Sequence, residues 1–200
     1  MKQIDLFHPR VFNTRDWAEG YYKRNKKNIK NVGKRFAKLL KKSGFMGGTV
    51  LDVGCGFGSV AIELAKTFPK SKITGIDLGE PLLEIGRELI KGEKLENQIE
   101  LLKADAQMLP FENNSFDLVV NTFLLHIVEN PIQMLNEIER VAKPEAKILM
   151  TDLQRGFLAY FIKKFRTAYT SEEAYRIIKG SNIRNGRLST GPFWWDYIIS

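Results

Sequence analysis

Apolar and polar positions along this chain change their period several times, and the changes divide it into elements. Trp17, Tyr21, Ile29, Val32, Phe36, Leu39 and Leu40 recur near helical spacing, which predicts a helix over Asp16–Lys42. Gly33 offers a point where that helix divides in two, and Ser43-Gly44 and Gly47-Gly48 end it. An alternation follows. Thr49–Val53, Lys72–Asp77, Ile99–Lys103, Phe116–Asn121 and Lys147–Thr151 are short runs rich in β-branched and apolar residues, and they predict strands. Val60–Phe68, Glu80–Lys91 and Pro131–Ala142 carry helical spacing between them, with Pro81 suited to a first turn, where a missing N–H costs nothing.

Strand and helix in alternation imply parallel strands joined by crossover helices, an α/β doubly wound, mostly parallel sheet. Runs such as "ILMT" and "DLVV" suit strands covered on both faces. After Asp152 the rhythm changes to two helical stretches, Leu153–Ala168 and Ser171–Lys179. Strand-like pieces follow around Arg187 and at Trp194–Ile199, turned by Gly191-Pro192, and these predict a C-terminal antiparallel hairpin on one sheet edge. The expected organisation is a single domain over 1–200, with an N-terminal helical cap (1–45), a core (46–152), and a helical insert with the closing hairpin (153–200).

Composition narrows the class without naming a chemistry. A hydrophobic content of 44% and an aromatic content of 11% belong to a globular rather than a disordered chain. No apolar run approaches the roughly twenty residues of a membrane span. Asp5 and His8 interrupt Met1–Arg10 where a signal peptide needs an unbroken apolar segment. Cys55 is the only cysteine, so no intrachain disulfide forms and a cytoplasmic location is expected. With only His8 and His126 beside it, an ordinary zinc site is excluded and no metal is assigned. Ten of the 31 cations and none of the 23 acids lie between Gly20 and Leu51, so this stretch exceeds the whole net charge of +8. Such a surface suits phosphates, nucleic acid or anionic lipid, and it equally suits a solvated helix face.

The sharpest local signal is "VLDVGCGFGSV", Val50 to Val60, a buried strand running into three glycines two apart. Open α/β sheets hold ligands at the carboxyl ends of their strands, so this turn lies at the site. The dinucleotide fingerprint would need glycine or alanine at Ser59, and no lysine follows as in a phosphate-binding loop. Asp52, two residues before the first glycine, repels a pyrophosphate and attracts an ammonium group. Asp77 ends the second strand, placed to accept both hydrogen bonds of a ribose diol; its other reading is a cap for the helix from Glu80. Asp105 follows the third strand, where its side chain takes an adenine amino proton while Ala106 offers a backbone N–H. Three carboxylates around one crevice suit a cationic nucleoside, and S-adenosyl-L-methionine is the evident candidate.

The ordered set "VLDVGCGFG", "ITGIDLG", "LLKADAQMLPFENNSFDLVVNTFLLHI" and "EIERVAKPEAKILMTD" resembles the class I S-adenosylmethionine-dependent methyltransferases, in particular the small-molecule branch with the ubiquinone and menaquinone C-methyltransferases. The likeness covers roughly Phe36 to Asp152 and implies a Rossmann-like core. It further implies that Asp52, Gly54, Cys55, Gly56 and Gly58 line the methionine and ribose end. Asp77 and Leu78 would hold the ribose and adenine edge, Asp105 and Ala106 the adenine, and Asn121 would lie beside the methionine moiety. Cys55 itself sits where any small residue fits, with no basic partner in sight, and reads as structural.

A methyl on a sulfonium is already activated, so few catalytic side chains are needed. His126, just past strand four, is the candidate base, and Asp152, ending strand five, the second choice. A histidine inside "FLLHIV" also reads as a packed residue. Tyr21 and Tyr22 either cap the methionine end or dock the first helix on the core. By the same resemblance, "NTFLLH" lacks the prolines of nucleic-acid amine methylases, and no second cysteine serves an RNA cytosine methylase. The expected acceptor is a small molecule, apolar or aromatic by the insert residues Phe157, Tyr160, Phe161, Phe165 and Tyr169. An RNA or protein methylase using the basic helix, and a non-catalytic binder of S-adenosylmethionine, are the alternatives.

Overall fold

A computed structural model describes residues 14–156 and 167–200. The helices are α1 (Arg15–Lys42), α2 (Ser59–Thr67), α3 (Glu80–Gly92), α4 (Pro131–Val141) and α5 (Ser171–Lys179). The strands are β1 (Thr49–Val53), β2 (Lys72–Asp77), β3 (Ile99–Lys103), β4 (Phe116–Thr122), β5 (Ala142–Leu153), β6 (Arg187–Thr190) and β7 (Trp194–Ile199). They form one seven-stranded sheet in the order β3-β2-β1-β4-β5-β7-β6. β1 to β5 pair in parallel, while β7 runs antiparallel to both β5 and β6. The strand order reverses between β1 and β4, which sets the switch-point crevice at their carboxyl ends.

Each strand face is covered, because alternate residues of a strand point to opposite sides. Val50, Leu118, Val120 and Leu149 pack under α1 and α2 with Phe36, Leu40, Val60 and Leu64. Leu51, Val53, Val119, Ile148 and Met150 pack on the other face against Met134, Leu135 and Ile138 of α4 and Ala174 and Ile178 of α5. α5 starts at a capping box, in which Thr170 and Glu173 satisfy each other's backbone N–H groups. These faces bury dozens of apolar side chains, each contributing roughly 1.5–3 kcal/mol against exposure.

Three expectations need correction. Gly33 does not divide the first helix; α1 is one helix of 28 residues. Gly33 is instead its contact point with α2, where an added Cβ would stand 3.0 Å from Glu63 Cβ and 3.2 Å from Val60 Cα. The fifth strand begins five residues before Lys147, because the carbonyls of Lys143 and Pro144 accept from the Arg184 guanidinium and hold "KPEA" extended. The helix expected over Leu153–Ala168 is not present at its ends. Leu153 finishes β5, and Gln154 makes a bridge with Tyr169. Phe157, Tyr160, Phe161 and Phe165 lie outside the described residues.

α1 is fixed across the sheet by a polar clamp as well as by its apolar stripe. The Arg35 guanidinium reaches both Asp196 oxygens on β7 and, at 3.1 Å, Thr151 Oγ1 on β5. Thr14 caps the start of α1, its hydroxyl accepting from the N–H of Trp17.

Candidate active site

The turn after β1 carries three left-handed residues, with φ of 74° at Gly54, 53° at Gly56 and 69° at Gly58. Only glycine takes that conformation without strain. Gly54 has a second constraint, because a Cβ there would lie 2.8 Å from Leu124 Cδ2. The N–H groups of Gly54 and Cys55 both donate to Ile76 O at 2.9 Å, which ties the turn to the end of β2.

Asp77 completes that tie. Its Oδ2 accepts from Gly56 N–H at 2.9 Å and its Oδ1 from Gly79 N–H at 2.8 Å. The carboxylate therefore bridges the glycine turn and the start of α3, and the cap reading and the ligand reading occupy the same group. Each oxygen keeps a lone pair for a further donor. Burial raises the pKa of Asp77 despite these bonds. Leu78 beside it is 53% exposed at the crevice rim.

Asp52 points from β1 to the α2 side and is fully enclosed; neither carboxylate oxygen has a hydrogen-bond partner among the described residues. Burial first, then repulsion by Asp77, pushes its pKa up to about 7, with only the backbone of Ala61 opposing. A buried carboxylate without a hydrogen bond is costly when ionised, and a nearby cation relieves that cost. Cys55 is buried too, its thiol pKa raised by burial, and its Sγ would be 2.9 Å from a Cβ at Gly75. Its side chain fills the gap above that glycine, and its thiol donates to the Gly56 carbonyl of the turn at 3.8 Å.

Past β3, Asp105 Oδ1 accepts from Gln107 N–H at 2.8 Å and from Gln107 Nε2 at 3.2 Å. Between them Ala106 is buried, and its N–H donates to no group among the described residues. A carboxylate acceptor and an unpaired N–H side by side match the donor and acceptor edge of an adenine. At the end of β4, Asn121 is buried and its Nδ2 donates to Val53 O at 2.9 Å, so its side chain couples two strand ends. Phe123 then takes φ 57°, a conformation that costs a non-glycine residue about 1–3 kcal/mol and recurs at functional sites.

That reversal brings His126 back over the sheet. His126 Nδ1 lies 2.5 Å from Asp152 Oδ1, and its backbone N–H donates to Asp152 Oδ2 at 3.2 Å. Both residues are buried. The two candidate bases are thus one unit. Their pairing follows from the register, since Thr122 of β4 sits opposite Thr151 of β5 and the residues that follow converge. Sequence separation hid this; strand adjacency was the missing signal.

α1 covers this end of the sheet. Tyr21 stacks on Trp17 with centroids 5.1 Å apart and meets Phe57 of the glycine turn edge-on at 6.2 Å. Tyr22 meets the same ring at 5.1 Å. Burial, then the charges of Asp77 and Asp152, pushes the Tyr21 pKa up to about 12, so its hydroxyl lies within electrostatic reach of both carboxylates. Both rings thus dock α1 on the glycine turn. Phe57, unremarked in the sequence, is the surface on which it rests. A cavity of about 550 Å³ lies elsewhere, lined by Lys72, Asn97 and Gln98 at the amino ends of β2 and β3. Ligands of such sheets bind at the opposite end, so that cavity is not part of the site.

This sheet order, with a glycine turn at the switch point and acids at the ends of β1, β2 and β3, defines the architecture of class I methyltransferases, and comparisons agree. Residues 51–150 match the family described as "Methyltransferase domain", half of the chain, and the protein belongs to that family. A demethylmenaquinone methyltransferase of Staphylococcus aureus (strain JH9) is 39% identical over 126 residues, which are 62% of this chain and 51% of that protein. The one from Lactobacillus johnsonii is 38% identical over 116 residues, 58% of this chain and 47% of that protein. The chain spans about half the length of the curated relatives it matches. Among solved structures, a SAM-dependent methyltransferase from Aquifex aeolicus aligns with a TM-score of 0.70 and 26% identity, covering 81% of this chain and 87% of that one. S-adenosyl-L-methionine is thus the cofactor of the family. Its nucleoside and charge fit the donors and acceptors described above.

Proposed function

We propose that this protein transfers the methyl group of S-adenosyl-L-methionine to a small, apolar aromatic acceptor, with a demethylmenaquinone-type ring as the first compound to test. The observation that carries this reading is Asp52, a fully buried carboxylate with no hydrogen bond among the described residues, set beside Asp77 and a glycine turn. Such a group calls for a cation at the crevice. The cofactor, when bound, supplies a methyl activated by its sulfonium.

In this reading Asp77 accepts from the ribose diol, Leu78 covers the adenine, and Asp105 with the Ala106 N–H takes the adenine edge. The backbone of Gly54, Cys55, Gly56 and Gly58 runs along the ribose and methionine. Asn121 keeps the ends of β1 and β4 together beside it, and Tyr21 and Tyr22 close the crevice from α1. His126, held by Asp152, receives the proton that the acceptor loses. The acceptor type rests on the names of the relatives, and a cytoplasmic setting on the single buried cysteine. No helix among the described residues is long and apolar enough to cross a membrane. Titration calorimetry with S-adenosylmethionine tests the cofactor assignment, and transfer of a labelled methyl to demethylated quinols tests the acceptor. Micromolar binding with label in the quinol supports the proposal. Label only in RNA or protein would overturn the acceptor class.

A further inference from the structure

Buried polar atoms of folded chains are as a rule paired, so each exception asks for a reason. Among the described residues five buried side-chain atoms lack a hydrogen bond. Two are the oxygens of Asp52, and one is Ser71 Oγ, just before β2 at its amino end. The remaining two are Trp195 Nε1 and Gln154 Oε1. One is a donor and the other an acceptor, and the register of the sheet makes them neighbours.

β7 pairs antiparallel with β5 and sets Trp195 opposite Asp152. Directly opposed residues share a face, with Cβ atoms about 4.5–5.5 Å apart. That face is the one under α4 and α5, since Met150 and Tyr197, the next pair on it, pack there together with Trp195. The ladder runs one step past β5, where Gln154 N–H donates to Phe193 O at 3.0 Å. Gln154 lies two residues beyond Asp152, so its side chain returns to the same face, diagonal to the Trp195 indole.

Asp152 is the residue that holds His126, with Oδ1 2.5 Å from Nδ1. The unpaired donor and the unpaired acceptor therefore flank the proposed base, at the sheet end where such folds act on their ligands. Trp195 is fully buried and Gln154 half-buried. Tyr197, on the same face of β7, has what Trp195 lacks: its hydroxyl accepts from Gly186 N–H and donates to Arg184 O. Packing alone calls for no indole nitrogen, and an amide oxygen shut away from donors is a cost to the fold. A single hydroxyl group meets both needs, because its oxygen accepts while its hydrogen is donated. An ether or a carbonyl would serve only Trp195.

We propose that Trp195 Nε1 and Gln154 Oε1 together hold one hydroxyl group of the methyl acceptor, which makes them specificity-determining residues for a hydroxylated aromatic ring of the phenol class. Their role rests on the reading in which His126 faces the acceptor, and it adds the group by which that acceptor is chosen. A hydroxyl held in this way keeps its proton, shared with Gln154, and anchors the ring. The proton that His126 receives then comes from the atom being methylated.

The test is nuclear magnetic resonance of the full chain, isotope-labelled at nitrogen. Its three tryptophans, Trp17, Trp194 and Trp195, give three indole N–H signals, and Trp17→Phe and Trp194→Phe assign the third by elimination. Naphthol, methoxynaphthalene and naphthalene are titrated in turn with S-adenosylhomocysteine present. The Trp195 signal should move downfield with naphthol, far less with methoxynaphthalene, and not with naphthalene. Gln154→Leu and Trp195→Phe should each weaken naphthol on the order of tenfold while naphthalene keeps its affinity. Gln154→Leu, at a half-buried position, keeps the test open should Trp195→Phe fail to fold. A Trp195 signal unmoved by saturating naphthol, or moved alike by all three compounds, overturns the proposal. So does an equal loss of naphthol and naphthalene binding in Gln154→Leu. These titrations read no methyl transfer, so they stand or fall apart from the labelling of demethylated quinols.

Discussion

Replacing Asp52 by asparagine removes a buried carboxylate that has no hydrogen bond among the described residues, and the consequences can be worked out with their sign. The folded pKa is about 7, against roughly 3.9 for an unperturbed aspartate. The folded state therefore holds a proton that the unfolded state has released, and stability falls as pH rises from about 4 to about 7. Three units at about 1.4 kcal/mol each give on the order of 4 kcal/mol, an upper figure. The substituted side chain brings its own buried amide, so the absolute difference in stability is not diagnostic; its pH dependence is. Thermal unfolding of both proteins at pH 5 and pH 8 should show Asp52→Asn gaining on the native chain by several degrees, at about 2–4 °C per kcal/mol for a chain of this size. Binding of S-adenosylmethionine should reverse the effect by bringing a cation near and releasing the proton. Calorimetry at pH 6.5 in buffers of different ionisation enthalpy should detect proton release from the native protein and none from Asp52→Asn. A difference in unfolding temperature that stays constant with pH would refute the argument from burial. A native chain that releases no proton on binding would refute the argument from the ligand's charge.

Asp77→Ala should weaken S-adenosylmethionine ten- to a hundredfold, since each hydrogen bond to a charged acceptor is worth about 1.5–3 kcal/mol; an unchanged Kd rules out the ribose role. His126→Ala should lower kcat with the Kd for S-adenosylmethionine unaltered, and Asp152→Asn should act in the same direction by releasing the ring it holds. Full turnover in either variant would retire the base. Gly54→Ala must place a Cβ 2.8 Å from Leu124 at φ 74°, and denaturant unfolding should show a loss of about 1–3 kcal/mol. A silent Gly54→Ala would mean that the turn and the loop after β4 are not in contact.

Most of the architecture was legible because local signals and global fold agree. Five apolar runs separated by helical spacing can hardly be arranged otherwise than as a parallel sheet, and the glycines before Ser59 mark the turn wherever the strand order reverses. Gly33 misled because glycine within a helix usually weakens it, and only the proximity of α2 shows why it is tolerated here. The early start of β5 depends on Arg184, forty residues away. That Asp77 and Asp105 lie at the carboxyl ends of β2 and β3 was legible from the strand pattern. The depth of Asp52 was not, because nothing in one sequence tells which face of β1 it takes. The union of His126 with Asp152 needed the pairing of β4 with β5, which is a property of the sheet and of neither segment.

The grip of Arg35 on Asp196 joins positions 161 residues apart. During synthesis the cover of the crevice emerges early, but the carboxylate that pins it appears only once β7 has been made. A nascent chain can wind α1 and even lay it on α2, yet that helix stays unfastened at the sheet until translation has passed Asp196. The fastening of α1 in this way waits on the pairing of β7 with β5.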